Sequence, residues 1–127
     1  MRTREELLRD AAPFADQVIK QLPPRGDNYV TWNQYAQRLL LDHGGHRYSV
    51  TNMVMSPKGG IAVSVRLQLG DDEWYDAVGE GETPTAAESN AYKRACAHAG
   101  IGLHLYCDDE PENRYWLVGV LSKDADE

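Results

Sequence analysis

Five basic residues carry the clearest potential chemistry in this sequence. Lysine and arginine bind backbone phosphates by charge, whatever the order of the bases, so they suit contact with a nucleic acid. Two of the five are adjacent in a helical segment, and the other three lie in a preceding stretch of strands and turns. The candidate nucleic-acid-binding residues are Lys93, Arg94, Arg66, Arg47 and Lys58.

Charge is segregated along the chain. The net charge of -7, from 13 basic and 20 acidic side chains, excludes a histone-like polybasic protein. Acids are concentrated in 71–90 and 108–127, whereas 31–70 has a basic excess. A polyanion would therefore make only local contact. On charge patterning alone, the favoured explanation is that acidic loops and an acidic tail keep the protein soluble.

Other chemistry has little support in the sequence. The two cysteines, Cys96 and Cys107, do not form paired C-x-x-C knuckles with the nearby histidines, so we expect reduced thiols and no zinc. The acidic run around Asp72 is typical of a solvated turn. Because there is no P-loop and no nucleophile motif, we expect no cofactor and no enzyme activity.

Helical spacing of apolar residues predicts the elements before the strands. A first helix is predicted to begin with a capping box at Thr3 and to continue to Leu22, unless Pro13 splits it in two. A second helix begins near Thr31 and ends at the glycines after His43.

Three strands are predicted next, followed by a long helix. Alternation in 61–69 places apolar residues on one face and Arg66 on the other, with flanking strands at 48–55 and 74–78. Thr83 and a following proline begin the helix. Its buried side is an alanine row at four-residue spacing, and its outward side is predicted to carry Asn90, Lys93, Arg94 and Ala97.

This order predicts one α+β domain over residues 1–127. It would contain an antiparallel three-stranded sheet in a β-β-β-α core, with the N-terminal helices packed on it. We predict a further strand or an oligomer contact at 114–121, and a frayed acidic tail at 122–127. No apolar run reaches the roughly 20 residues that cross a bilayer, so we expect a cytoplasmic protein with no membrane partner.

Two segments resemble signatures of a known family, the Rad-fifty-two-type single-strand annealing proteins. Residues 65–81 are similar to its V-R-V-x-L-x-D-G-x-x-x-x-D-x-G-x-G signature, and 87–103 to its A-x-x-x-A-x-K-R-A-x-x-x-F-G-x-x-L segment. Upstream, 43–50 is similar to the family's F-G-x-x-G-W turn. The ending at 100–106 most resembles the bacterial and phage branch, that of DNA-damage response protein A.

The resemblance implies a protein that binds single-stranded DNA and anneals complementary strands in homologous recombination and double-strand break repair. It implies a homo-oligomeric ring without a cofactor, located with the nucleoid, and a single-strand DNA-binding protein as a candidate partner. Lys93 and Arg94 match the family's paired basic residues along the DNA groove. Gln34 and Ala97 stand where the family often has further basic residues.

Alternatives remain at both the molecular and the residue level. A double-stranded RNA-binding module has a similar order of elements, and a purely structural oligomer component would bind no nucleic acid. Arg66 could instead pair with Asp76 or Asp71 across its hairpin, and Lys58 could lie in a solvated turn. We expect core or interface positions for the aromatic residues Trp32, Tyr35, Trp74 and Trp116. If one of these rings is exposed, it could instead stack on a base.

Overall fold

The structure, a computed structural model, describes residues 2–22, 27–44, 46–70, 73–107 and 110–126. Short 3-10 turns lie at Asp16–Val18 and Leu103–Leu105. The helices are α1 (Arg4–Ala11), α2 (Trp32–His43), α3 (Pro84–His98), α4 (Pro111–Arg114) and α5 (Trp116–Asp126). The strands are β1 (Lys20–Leu22), β2 (Asp27–Tyr29), β3 (Arg47–Met55), β4 (Ile61–Leu69) and β5 (Glu73–Gly81).

The predicted α+β fold with a three-stranded antiparallel sheet is confirmed. The strand order is β3-β4-β5, and α3 packs on one face of this sheet. The alternation predicted for β4 is also confirmed, because Val63, Val65 and Leu67 are fully buried while Arg66 is exposed. Tyr35 and Leu39 of α2 belong to the same buried core as residues of β4 and α3, so this core holds α2 against the rest of the fold.

The N-terminal helix is shorter than predicted. Its capping box is confirmed, since the backbone N–H of Glu6 donates to Thr3 Oγ1 at 3.1 Å and the Glu6 carboxylate accepts from Thr3 N at 3.3 Å. The helix ends at Ala11 because Ala12 is extended, as steric contact with the following Pro13 favours. The continuation of the helix to Leu22 is therefore wrong, and β1 pairs there with β2.

Two glycines of β5 let α3 lie very close to the sheet. A Cβ at Gly79 would overlap the backbone of Ala91, and one at Gly81 would lie 2.7 Å from Ala87 N. The alanine row of α3 presents the matching small side chains. β5 continues through Gly81, three residues beyond the predicted end of the strand.

The prediction of a strand at 114–121 is wrong, because this region is helical. In α5, Leu121 is buried and Leu117 is half-buried, while Trp116 and Gly119 are exposed, a spacing that matches a helix with one apolar side. This helix packs against α1 and includes residues 122–126 of the predicted frayed tail. Among the helices that the structure describes, none is both long and apolar enough to span a bilayer.

Arg2 links the N-terminal segment to the sheet and to α3. Its guanidinium contacts Asp10 Oδ2 at 2.7 Å and Glu73 Oε2 at 2.9 Å, and Asp10 also contacts His43 Nε2 at 2.9 Å. The same guanidinium donates to the backbone carbonyl of Ala99 at 2.7 Å and to Tyr75 Oη at 2.8 Å. This charged network holds α1, α2, β5 and the end of α3 together.

Candidate nucleic-acid interface

Helix α3 positions the two adjacent candidate cations. Its N-cap Thr83 accepts a hydrogen bond from Ala86 N at 3.2 Å, and Pro84 fits the first helical position. The alanine row is buried against β5 and β4, which turns the side that bears Lys93 and Arg94 away from the sheet. Ala97 is buried, contrary to the outward position predicted for it.

Arg94 is exposed and available for an anion. It lines a groove of about 740 Å³ between α3 and β5, together with Asn90, His98 and Glu80. Asn90 closes part of this groove by donating to the backbone carbonyl of Glu80 at 2.8 Å. Arg94 makes no hydrogen bond or ion pair with any part of the chain that the structure describes. Its guanidinium therefore keeps all its donors for a ligand.

Lys93 is more covered than a solvated helix position would be. It is half-buried, and its ammonium lies 5.7 Å from the centroid of the Tyr29 ring, a cation–π geometry. Burial lowers the pKa of the Lys93 ammonium. Lys93 lies on the side of α3 that faces away from the sheet, as predicted, but Tyr29 lies against its ammonium and covers it in part.

Arg66 is bound to its neighbour across the β4–β5 hairpin. Its guanidinium donates two hydrogen bonds to the Asp76 carboxylate, at 2.8 and 3.0 Å, and lies 5.3 Å from the Trp74 ring centroid. These bonds lower the pKa of the Asp76 carboxyl. The alternative of a cross-strand pair with Asp76 is thus confirmed. Arg66 projects from the sheet face opposite α3, so it does not join Lys93 and Arg94.

Arg47 and Lys58 occupy two further positions. Arg47 is exposed at the start of β3, paired in register with Gln68. Lys58 is exposed in the turn between β3 and β4, where its backbone N–H donates to Ser56 Oγ at 3.3 Å. The length of β3 separates them by about 26 Å. The five predicted cations therefore lie on α3, on the outer sheet face and at a hairpin tip, and they form no single cluster.

An aromatic cleft between α2, β3 and α3 was missed by sequence reasoning. Tyr92 lies at its centre, with ring centroids 5.0 Å from Tyr48, 6.0 Å from His46 and 6.3 Å from Trp32. The cleft has a volume of about 460 Å³. Its signal in the sequence was weak, because three separate elements contribute to it. The lining residues are Trp32, Ala36, His46, Tyr48, Thr85, Glu88, Ser89 and Tyr92.

The histidines and cysteines have structural surroundings. His104 Nε2 accepts a hydrogen bond from the backbone N–H of Phe14 at 3.1 Å, and His43 is bound to Asp10. Burial raises the pKa of the Cys96 thiol to about 12. In the described ranges, no three His, Cys, Asp or Glu residues are grouped so that they could hold a metal ion.

Two curated plant proteins are similar to this chain. It is 32% identical over 94 residues to "DNA repair RAD52-like protein 1, mitochondrial" of Arabidopsis thaliana, covering 64% of this chain and 53% of the relative. It is 31% identical over 119 residues to "DNA repair RAD52-like protein 2, chloroplastic" of the same plant, covering 80% and 59%. The chain spans a little over half the length of these relatives. No protein-family model matches it. The two similarities support a Rad-fifty-two-type relationship.

Proposed function

We propose that this protein acts in DNA repair and recombination by binding single-stranded DNA and annealing complementary strands. The observation that carries the proposal is the pair of cations on α3, Lys93 and Arg94, which have no acidic partner in the described structure. Arg2 and Arg66, by contrast, are committed to carboxylates. The names of the two plant relatives supply the cellular process.

The chemistry of α3 fits an annealing protein. An annealing protein must leave most base edges free to pair, so it should grip mainly the sugar-phosphate backbone. Lysine and arginine do this without reading the sequence. The proposed annealing activity requires no catalytic group.

Oligomerisation would reconcile DNA binding with a net charge of -7. Copies of α3 repeated around a ring would multiply a modest contact through effective concentration. The sheet offers a route to such an assembly, because in the described structure β3 and β5 each have one edge that pairs with no strand. A single-strand DNA-binding protein remains a proposed partner.

The test compares two double variants that each remove two positive charges. We choose glutamine because a carboxylate at half-buried Lys93 would disturb the packing on Tyr29. Lys93→Gln with Arg94→Gln should weaken binding to single-stranded DNA at least tenfold, and should reduce the salt slope by about 1.4 because roughly 0.7 is lost per phosphate contact. Arg47→Gln with Lys58→Gln is the control, and it should weaken single-stranded DNA binding less than the α3 double variant does.

Fluorescence anisotropy with labelled single-stranded DNA, duplex DNA and duplex RNA over a salt series measures these effects. Equal losses in both double variants would remove the assignment to α3. A complementary-strand annealing assay on the same proteins tests the activity, which should fall with binding.

A double-stranded RNA-binding module is the second candidate, since α2, three antiparallel strands and α3 follow one another in the order of such modules. Tighter binding to duplex RNA than to single-stranded DNA would favour it. Assembly without affinity for any of the three nucleic acids at low salt would indicate a structural oligomer component instead.

A further inference from the structure

The aromatic cleft has the size and lining of a ligand site. Its volume of about 460 Å³ lies in the range of roughly 300 to 1,000 Å³ that is usual for small-molecule pockets. Trp32, the first residue of α2, forms one wall of the cleft and is 54% exposed. Tyr92 meets that ring edge-on, with an interplanar angle of 86°. The cleft therefore offers a planar apolar surface that a planar ligand could cover.

Two lining side chains each have a buried polar atom. His46 Nδ1 is buried and makes no hydrogen bond with the described residues, although His46 Nε2 lies 3.2 Å from Tyr92 Oη. Tyr48 Oη is buried beside the Glu88 carboxylate, and burial followed by the charge and hydrogen bonding of Glu88 raises the pKa of the Tyr48 phenol. Buried polar groups are usually paired, so His46 Nδ1 favours completion of the cleft by a ligand with a polar edge.

Charge indicates which part of a nucleotide would enter. Glu88 lines the cleft and would repel a phosphate, but its carboxylate would accept a hydrogen bond from a base. Aromatic side chains hold bases of any sequence by stacking on their faces. A nucleobase can both donate a hydrogen bond to Glu88 and stack on an aromatic ring.

The cleft is also within reach of the proposed phosphate contacts. Ser89 lines it, and Lys93 follows Ser89 by one turn of α3, a rise of about 6 Å. A phosphate held near Lys93 would place its attached base at the mouth of the cleft. The two surfaces would thus take adjacent parts of one nucleotide.

We propose that the aromatic cleft binds a single nucleobase of the bound DNA strand, stacked on Trp32. This inference rests on the proposed function, because it takes the base from a strand whose phosphates α3 holds. A free nucleotide offers the same base chemistry, so the test must separate the two sources.

The decisive variant is Trp32→Ala, with Trp116→Ala as its matched control. Both tryptophans are the first residue of a helix and are largely exposed, at 54% and 64%, but Trp116 lies on α5 outside the cleft. Loss of one stacked base should weaken single-stranded DNA binding about fivefold or more in Trp32→Ala. Trp116→Ala should bind like the unchanged protein, and Trp32→Phe should recover most of the affinity. Equal affinity of Trp32→Ala and the unchanged protein would overturn the inference.

An abasic oligonucleotide separates base binding from phosphate binding. It keeps the phosphates, so the unchanged protein should bind it more weakly than normal DNA, and Trp32→Ala should bind it no worse than the unchanged protein does. An equal loss on abasic DNA would assign Trp32 a structural role and overturn the inference. If the unchanged protein binds neither oligonucleotide, the proposed function fails instead.

Trp32 fluorescence gives a direct readout. In a Trp74→Phe and Trp116→Phe background, Trp32 is the remaining tryptophan, and normal single-stranded DNA should quench its emission while abasic DNA should not. Quenching by deoxyadenosine monophosphate at concentrations as low as those of the oligonucleotide would overturn the strand as the source of the base. The absence of quenching by bound normal DNA would overturn the cleft as the site.

Discussion

Arginines in this protein differ in role according to what surrounds their guanidinium groups. Arg2 is half-buried between the carboxylates of Asp10 and Glu73. Arg38 donates to the backbone carbonyl of Arg9 at 2.7 Å and lies over the Phe14 ring. Arg66 is exposed but paired. Arg94 is exposed and makes no such contact with the described residues. Residue type alone therefore did not separate structural cations from candidate DNA contacts, whereas burial and partners do.

Removing the charge of Asp10 should destabilise the protein strongly. Asp10 is 1% exposed and contacts both Arg2 and His43, so Asp10→Asn removes the buried carboxylate that joins them and leaves Arg2 with Glu73 as its carboxylate partner among the described residues. We expect the free energy of unfolding to fall by about 3 kcal/mol in urea denaturation. Asp76→Asn, which breaks the exposed pair with Arg66, should leave the urea midpoint unchanged. Equal midpoints for the two variants would contradict this account.

The position of α3 in the candidate site followed from the sequence, but the surroundings of its cations did not. The alanine row and the Thr83 cap predicted a helix with Lys93 on its outer side, and the structure has this helix. The cover over Lys93 comes from Tyr29 of β2, which pairs with β1, and β1 is the end of the segment that was interpreted as helix. The aromatic cleft combines residues that are distant in sequence, which periodicity within one element cannot relate.

At the scale of elements, the packing of α3 on β5 depends on the absence of side chains. Gly79 faces the backbone of Ala91 so closely that no Cβ fits without movement of the helix. The glycines in the D-x-G-x-G part of the family signature thus have a physical role in this chain. They allow the helix that bears the candidate DNA contacts to lie against the strand.

Gly79→Ala should therefore destabilise the fold by about 3 kcal/mol, at the upper end of the cost of overpacking, because backbone and not a flexible side chain must shift. Gly119→Ala is the matched control. Gly119 is exposed in α5 with nothing within 4 Å of an added Cβ, so alanine should stabilise the protein by about 0.5 to 1 kcal/mol. Thermal unfolding followed by circular dichroism measures both, and a stability increase in Gly79→Ala would refute the close contact.

Elements with a strong local signal were predicted well. The strict alternation of β4 and the capped start of α3 each specify one geometry. The chain ends were harder, because Tyr115 to Val120 combines strand-forming residues with an apolar side at helical spacing, and packing on α1 selects the helix. Pro13 disfavours the helical conformation at Ala12, and this steric effect outweighs the helical spacing of the apolar residues around it.

For the whole molecule, His104 predicts a loss of stability in acid. Burial, followed by the charges of Arg114 and Arg38, lowers the pKa of His104 to about 4 in the folded protein. The unfolded chain, with a value near 6.5, therefore takes up this proton first. The stabilisation that neutral His104 contributes to the fold is complete above about pH 6.5 and is lost as the pH falls toward 4.

The size of this effect is roughly 3 kcal/mol, since each pKa unit corresponds to about 1.4 kcal/mol. His104→Gln can still accept the hydrogen bond from Phe14 N but does not titrate in this range. Urea denaturation between pH 7 and 4 should therefore show a shallower decline for the variant. Parallel pH profiles would indicate that His104 titrates normally.

The link between Arg2 and Ala99 also bears on the order of folding events. These residues are 97 positions apart, and closing so long a loop has an entropic cost that only later contacts offset. The antiparallel strand pairs of the sheet connect residues that are much closer in sequence, so they can form before it. Breaking the Arg2 network is therefore expected to accelerate unfolding while leaving the rate of folding almost unchanged, which makes the N-terminal segment a determinant of the protein's lifetime in the native state.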